Sequence, residues 1–128
     1  MLAYRSPYVS VEEVEVGIPS GPAIGIGVTS VLLETWCVHE LQWVVYEPNT
    51  PPVWEQVVRH LRGYLGTLWV SGALQGDKAR KAFFVTCDQS TMTPEDILNG
   101  HLICLVGLAP VTPAEFVLYR IHIHLKRR

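Results

Sequence analysis

The sequence predicts an α+β fold: a two-layer sandwich in which a mixed sheet of about four strands carries two helices on one face. Apolar residues at helical spacing occupy much of residues 30–70, whereas alternating or continuous apolar segments, which are typical of strands, occupy residues 82–125. The length of 128 residues fits one domain with one core. Extended segments near both ends add a predicted N-terminal and a predicted C-terminal strand arm.

The N-terminal arm covers residues 1–18 and contains one predicted strand, Tyr8 to Ile18. Its apolar residues change face at Glu12 and Glu13, which predicts a bulge or a twist. Residues 19–29 are rich in glycine and proline and predict a connector. The first strand should therefore be tethered to the domain and not embedded in it.

Two helices are predicted between residues 30 and 70. The first begins at Ser30, whose hydroxyl can cap it, and a short strand over Trp43–Tyr46 separates it from the second. Asn49 or Thr50 can cap the second helix. The apolar stripe of the first helix contains Leu33, Trp36, Cys37 and Leu41, and that of the second contains Trp54, Val57, Val58, Leu61, Leu65 and Leu68.

The C-terminal half predicts three strands and one short helix. The first strand alternates from Phe83 to Asp88, and Thr93-Pro94-Glu95-Asp96 then predicts a helical turn with a local cap. His101 to Ala109 is a nearly continuous apolar strand, and a proline-containing bend leads to the last strand, Glu115 to Leu125. With the two helices these strands form the predicted domain, residues 30–121.

The last predicted strand is longer than strands usually are. At about 3.3 Å per residue, Glu115–Leu125 would extend about 35 Å, so we expect half of it to overhang the sheet and residues 122–128 to form a C-terminal arm. A tethered first strand and an overhanging last strand are what strand exchange between subunits requires. The expected subunit contacts are Val9, Val11, Glu12, Glu13, Val14 and Val16 in the N-terminal arm, and Val117, Tyr119, Ile121, Ile123 and Leu125 in the C-terminal arm.

Composition argues against several classes of partner. The net charge is −2, and charges of both signs are mixed along the chain. Binding to nucleic acid or to an anionic membrane surface needs a concentrated positive field, so neither is an expected partner. Cys37, Cys87 and Cys104 lie in apolar runs at spacings that match no metal motif, which predicts reduced core thiols. The sequence contains no signal-peptide pattern and no run of about 18 apolar residues, so we expect a protein made in the cytosol.

Two patterns keep an enzyme open as an alternative. His122 and His124 would share one face of a strand, and such a pair binds zinc or iron when further ligands converge. No acid or cysteine is near them in sequence, which favours a polar outer face of the arm. Cys37 or Cys87 could pair with a histidine, but a catalytic thiol needs an accessible, electropositive setting. We therefore predict no enzyme, no cofactor and no metal site.

Three segments identify a family. Residues 41–49 (LQWVVYEPN), 68–76 (LWVSGALQG) and 82–121 (beginning AFFVTCDQSTMTPEDILNG) resemble the C-terminal domain of contractile phage tail sheath proteins. Residues 6–16 (SPYVSVEEVEV) also resemble the start of those proteins, although Tyr8 stands where glycine is expected. Both matches together are highly specific. Sheath proteins normally carry further domains between these two regions, and here only the connector stands between them.

The resemblance implies a subunit that polymerises as stacked hexameric rings around an inner tube, with arms woven into neighbouring sheets. The implied partners are further copies of the chain, the inner tube protein, and the baseplate and tail terminator proteins, within a phage tail or phage-like injection particle. Contraction would require hinges, for which the candidates are Gly21, Pro22, Gly25, Gly27, Pro110 and Pro113. Arg59 and Arg62 are candidates for tube contact. An accessory or ring-capping scaffold protein of the same machine is the alternative.

Overall fold

A four-stranded sheet forms one layer of the fold and helices form the other. The structure is a computed structural model that describes residues 6–14, 24–113 and 115–126, with the backbone alone for residues 24–30. The elements are β1 (Val9–Val14), α1 (Ile24–Glu40), a 3-10 helix (Gln42–Tyr46), α2 (Pro51–Val70), α3 (Ala79–Ala82), β2 (Phe83–Thr86), α4 (Pro94–Leu98), β3 (His101–Leu108) and β4 (Val117–His124). The predicted α+β class is confirmed.

The strands of the sheet have the order β1-β4-β3-β2, and every pairing is antiparallel. The mixed sheet predicted from the sequence is therefore wrong in that detail. Residues 109–116, which join β3 to β4, are fewer than the dozen or so that a parallel crossover needs. β1 and β2 are the two edge strands, so each has one side that pairs with no described strand.

The C-terminal strand does not overhang the sheet within the described residues. β3 is eight residues long and pairs with the whole of β4, from His101 opposite His124 to Leu108 opposite Val117. The predicted overhang is wrong because β3 is as long as β4 and because β1 pairs with the other side of β4. Passage of this strand into a neighbouring subunit remains a prediction.

The sequence predicted a short strand over Trp43–Tyr46. That prediction is wrong, because this segment belongs to the 3-10 helix. The Val44 N–H donates to the Leu41 carbonyl at 3.1 Å, and the Glu47 N–H donates to the Val44 carbonyl at 2.9 Å. Val44 and its neighbour Val45 are both buried, whereas adjacent residues of a strand point to opposite faces. Periodicity cannot assign so short an apolar run, and here it forms the tight turn between α1 and α2.

Helix α1 begins at Ile24, before the predicted start at Ser30. Gly25 and Gly27, predicted as hinges in a connector, therefore lie in the helix backbone. Glycine disfavours a helix by about 1 kcal/mol, but α1 lies against β1, and such packing outweighs propensity. The other predicted hinges of the connector, Gly21 and Pro22, lie outside the described residues, as does Val16.

The core lies between the helices and the inner face of the sheet. Fully buried side chains come from α1 (Leu33, Cys37), from α2 (Val57, Leu61, Leu65) and from the inner face of β3 and β4 (Leu102, Cys104, Val106, Leu108, Tyr119, Ile121, Ile123). The apolar stripes predicted for both helices therefore face the sheet. All three cysteines are free and buried, which confirms the prediction of core thiols.

Two local features shape the segments between the long elements. The Thr93 Oγ1 accepts from the Asp96 N–H at 3.0 Å, and the Asp96 carboxylate accepts from the Thr93 N–H at 2.9 Å, so the predicted cap of α4 is confirmed. The short helix α3 comes directly before β2, and no helix was predicted there from the sequence. The Trp69 indole N–H donates to the Gly76 carbonyl at 2.9 Å and holds the chain around Gly76 against the end of α2.

Candidate functional site

The edge formed by β1 and β4 is the candidate functional site, because it contains both segments that the sequence predicted as arms. The six residues of β1 pair in unbroken register with β4, from Val9 opposite Ile123 to Val14 opposite Leu118. The predicted bulge at Glu12 and Glu13 is therefore absent within the described strand. β1 pairs with the last strand of its own chain in this structure.

The predicted arm residues occupy both faces of this edge. Val9 is buried and Val11 is packed against the core, whereas Val14 lies on the other face of the sheet. In β4 and the residue that follows it, Tyr119, Ile121, Ile123 and Leu125 are all buried, and Val117 is partly buried against the core. The C-terminal residues predicted to contact other subunits are thus part of the core of this chain.

One ion pair joins the two strands on the outer face. The Arg120 guanidinium donates to the Glu12 carboxylate at 2.7 Å, and both side chains are about half exposed or more. The Lys126 ammonium lies 6.0 Å from the centres of the Tyr8 and Tyr46 rings. Glu12 therefore pairs with Arg120 of β4. Its neighbour Glu13 points to the opposite face of the sheet.

Part of the outer face of the sheet, which points away from α1 and α2, is apolar. It carries the half-buried side chains Phe84, Ile103, Leu105 and Leu118. The Phe84 ring lies over Gly107, where an added Cβ would stand 2.0 Å from a ring carbon. Phe116 meets the Phe84 ring edge to face, with centroids 5.1 Å apart. The nearly continuous apolar run predicted for residues 101–109 is consistent with Ile103 and Leu105 on this face.

A cluster of histidines lies on the same face at the end of β3 and β4. The predicted sharing of one face by His122 and His124 is confirmed, and His101 on β3 joins them. Sequence spacing could not reveal His101, because only the strand register brings it beside residues more than twenty positions away. In the described part of the chain, no group of three or more His, Cys, Asp or Glu side chains is arranged to hold a metal ion.

Cys37 and Cys104 lack the surroundings of a nucleophile. Burial raises the pKa of the Cys37 thiol, with a smaller contribution from Glu34. The hydrogen bond with Cys87, followed by burial, raises the pKa of Cys104. A raised pKa keeps a thiol protonated, and the protonated form is a poor nucleophile.

The remaining predicted residues lie on the surface or have structural partners. Arg59 and Arg62 are exposed on α2, and the Arg62 guanidinium lies 5.6 Å from the centre of the Phe83 ring. Pro110 and Pro113 lie in the bend between β3 and β4, as predicted. Across the described residues, no helix is both long and apolar enough to pass through a membrane.

The chain matches no protein-family model and no curated protein. It does match chains of two solved assemblies. One is the cryo-EM structure of the anti-feeding prophage baseplate, with 41% identity and a TM-score of 0.61 over 68% of this chain. The other is the contracted sheath complex of an extracellular contractile injection system, with 38% identity and a TM-score of 0.58 over 69% of this chain.

This chain spans only about a quarter of each matched chain, 25% and 26% respectively. Identities of this size go beyond a shared fold. The protein is therefore related to components of contractile injection systems.

Proposed function

We propose that this chain is a structural subunit of the contractile tail sheath of a phage or phage-like injection system. Its copies would polymerise around an inner tube and contract to drive that tube through a membrane. The observation that carries the proposal is the 38% identity, over 69% of the chain, to a chain of a contracted sheath complex. The similarity to a chain of a baseplate assembly supports the same kind of machine.

The β1–β4 edge supports polymerisation by strand exchange. β1 is an edge strand, and it packs on its own domain through β4 and α1. A β1 from a second copy could form the same backbone bonds with β4 in the same register. Exchange of an identical element between copies costs little, because bonds lost within one chain are regained between two. The arms would thus link subunits while other surfaces supply the energy of assembly.

The proposed mechanism is that of a metastable lattice. Subunits are held in an extended arrangement, and a trigger at the baseplate releases them into a more compact one. The exchanged strands would keep neighbours connected while domains rotate about the connector and the bend that contains Pro110 and Pro113. The proposed partners are copies of this chain in hexameric rings, the tube protein, and baseplate and terminator proteins. Arg59 and Arg62 stay candidates for tube contact.

Electron microscopy of the purified full chain tests the proposal. We expect long helical tubes, alone or around a tube protein. Deletion of residues 1–15 should remove β1 and leave a folded monomer that no longer polymerises, because α1, α2 and the other strands keep their core. Normal tubes from this deletion would contradict strand exchange. A truncation after Tyr119, which would remove the C-terminal arm, is a poor test of polymerisation. It would also remove the core residues Ile121, Ile123 and Leu125 and so destabilise the fold.

Variants that each carry one added cysteine test exchange directly. One batch carries only Glu12→Cys and another only Arg120→Cys, and the two are mixed before assembly. Residues 12 and 120 are directly opposite across β1 and β4, at a spacing that a disulfide can bridge. The three native thiols are buried, so they should not compete.

We expect disulfide-linked dimers only in the assembled mixture. A mixture with Glu13→Cys in place of Glu12→Cys is the control, because that side chain points to the other face of β1. Assembled particles without linked dimers would refute exchange at this edge.

A ring-capping or other accessory protein of the same machine is the second candidate. Its support is that one of the matched chains belongs to a baseplate assembly. Discrete rings in place of long tubes would favour it. Both candidates are non-enzymatic. Metal analysis and thiol titration of the native protein test that point, and bound metal or a rapidly reacting thiol would contradict it.

A further inference from the structure

Three of the five histidines gather where β1, β4 and β3 meet. We call His101, His122 and His124 the histidine cluster. The His101 Nδ1 and the His122 Nε2 are 2.7 Å apart, a hydrogen-bond distance. The His101 and His124 rings stack with centroids 4.7 Å apart, and the His122 and His124 centroids are 6.4 Å apart. Three imidazoles therefore lie within one another's electrostatic reach.

The hydrogen bond between His101 and His122 limits how many protons the pair can hold. One of the two facing nitrogens must donate a proton and the other must accept it. The neutral pair satisfies this condition, and so does a pair with one imidazolium. A second proton leaves no acceptor, breaks the bond and places two like charges in contact. The third ring of the cluster, His124, adds a further charge close by when it is protonated.

The groups around the cluster act on the protonation of His122 in opposite directions. Glu12 on β1 and Asp96 on α4 lie near His122 and act to keep it charged. Both carboxylates are already engaged, Glu12 with Arg120 and Asp96 with the cap of α4. On β4 and beyond it, Arg120 and Lys126 add positive charge. Burial and then the charges of His101 and His124 outweigh the two acids, so the pKa of His122 is lowered.

All three histidines of the cluster belong to backbone segments that pair with one another at this end of the sheet. The His124 N–H donates to the Tyr8 carbonyl at 2.7 Å, immediately before β1, and His122 is directly opposite Ser10. On the other side, His101 is directly opposite His124 in β3. Separation of the three rings would therefore strain the pairing of β4 with both of its neighbours at this end.

We propose that the histidine cluster is an acid-sensitive switch that holds the end of the β1–β4–β3 sheet closed while His101 and His122 share their hydrogen bond, and that loosens this end when a second proton on the pair breaks the bond. The switch does not depend on the proposed function. If β1 is the strand that copies exchange, acid would favour its release, and only that consequence rests on the proposed function.

Hydrogen exchange on the full chain tests the switch. Between about pH 7.5 and about pH 5, we expect amide protection in residues 8–12 and 120–124, corrected for the intrinsic rate, to be lost progressively, because a group whose pKa is lowered in the folded state binds its proton more readily once the edge has opened. Protection in α2 should change much less. Equal corrected protection of the edge at both pH values would overturn the proposal.

Variants assign the effect to the cluster. His122→Gln keeps a polar group that can bond to His101 but does not titrate, so acid should no longer loosen the edge. His60→Gln is the matched control, since His60 lies on α2 against Trp43 and outside the cluster. This control should behave as the wild type does. The same acid loosening in His122→Gln would also overturn the proposal.

A second measurement does not depend on any variant folding. Proton NMR titration of the wild type should show the His122 ring taking up its proton below pH 6.5, because burial, followed by the charges of His101 and His124, lowers its pKa. Protonation of His122 at or above pH 6.5 would overturn the proposal.

Discussion

The Arg120 guanidinium donates to the Glu12 carboxylate at 2.7 Å, across the edge where the N-terminal strand meets the last strand. Because both side chains are well exposed, we expect Glu12→Gln or Arg120→Gln to lower the free energy of unfolding by no more than about 1 kcal/mol. A double-mutant cycle by urea unfolding measures the coupling, which should shrink in about 1 M salt. Glu13→Gln is the control, and a coupling of several kcal/mol would contradict this prediction.

Gly107→Ala should destabilise the protein. The new Cβ would stand 2.0 Å from the Phe84 ring, so the ring or the strand must move, at a cost of about 1–3 kcal/mol. The second substitution Phe84→Leu should recover part of the loss by removing the ring. Gly63→Ala is the matched control: no atom lies within 4 Å of its added Cβ, and in helix α2 it should stabilise by up to about 1 kcal/mol. Thermal unfolding of the four proteins checks these signs, and a neutral Gly107→Ala would contradict the packing described.

Asn49 joins three parts of the fold, so we expect Asn49→Ala to cost about 2 kcal/mol or more. Its Nδ2 donates to the carbonyls of Ile97 and His101 at 3.3 and 3.2 Å, and its Oδ1 accepts from the Trp54 indole N–H at 2.6 Å. The substitution leaves all three partners without this bond. Asn99→Ala, at an exposed position, is the control and should have a small effect. Equal losses for the two variants in urea unfolding would refute the role of Asn49.

Acid should weaken the cap of helix α4. A backbone hydrogen bond from Thr93, followed by the side-chain bond, lowers the pKa of Asp96 below its ordinary value of 3.8. A lowered folded-state pKa gives stability that is present above 3.8 and is lost as pH falls towards the lower value. Asp88 contributes in the same direction through Ser90.

Urea unfolding between about pH 7 and about pH 2 should therefore show a loss that begins near pH 4 and that Asp96→Asn reduces. Glu95→Gln, in the same helical turn, is the control. An unchanged acid slope in Asp96→Asn would show that the cap does not cause the loss.

Local sequence patterns predicted the elements whose signals are local. The stripe from Trp54 to Leu68 predicted α2, and Thr93 followed by Pro94 and Asp96 predicted the cap of α4, because capping and amphipathic spacing act within a few residues. The 3-10 helix escaped prediction since four consecutive apolar residues, Trp43–Tyr46, fit a strand equally well. The first turns of α1 were not predicted, because Gly25 and Gly27 have low helix propensity and tertiary packing supports the helix there.

Features that depend on pairing between distant segments could not be predicted. The register that places His101 opposite His124 follows from strand lengths and from the bend after β3, which no local pattern specifies. The same register removed the overhang expected for β4. Periodicity correctly placed Tyr119 and Ile121 on one apolar face of β4. It did not reveal that this face is buried within the same chain, since the sequence predicted contacts with other subunits.

The strand order also has a consequence for how the chain folds. Glu12 and Arg120 are 108 residues apart, yet they belong to neighbouring strands. During synthesis β1 is made long before its partner, so its backbone groups have no strand to pair with until β4 has left the ribosome. Pairings of such wide separation form slowly. The β1–β4 edge should therefore be the last part of the sheet to form, and a newly made chain would pass through a state in which this edge is open to other copies.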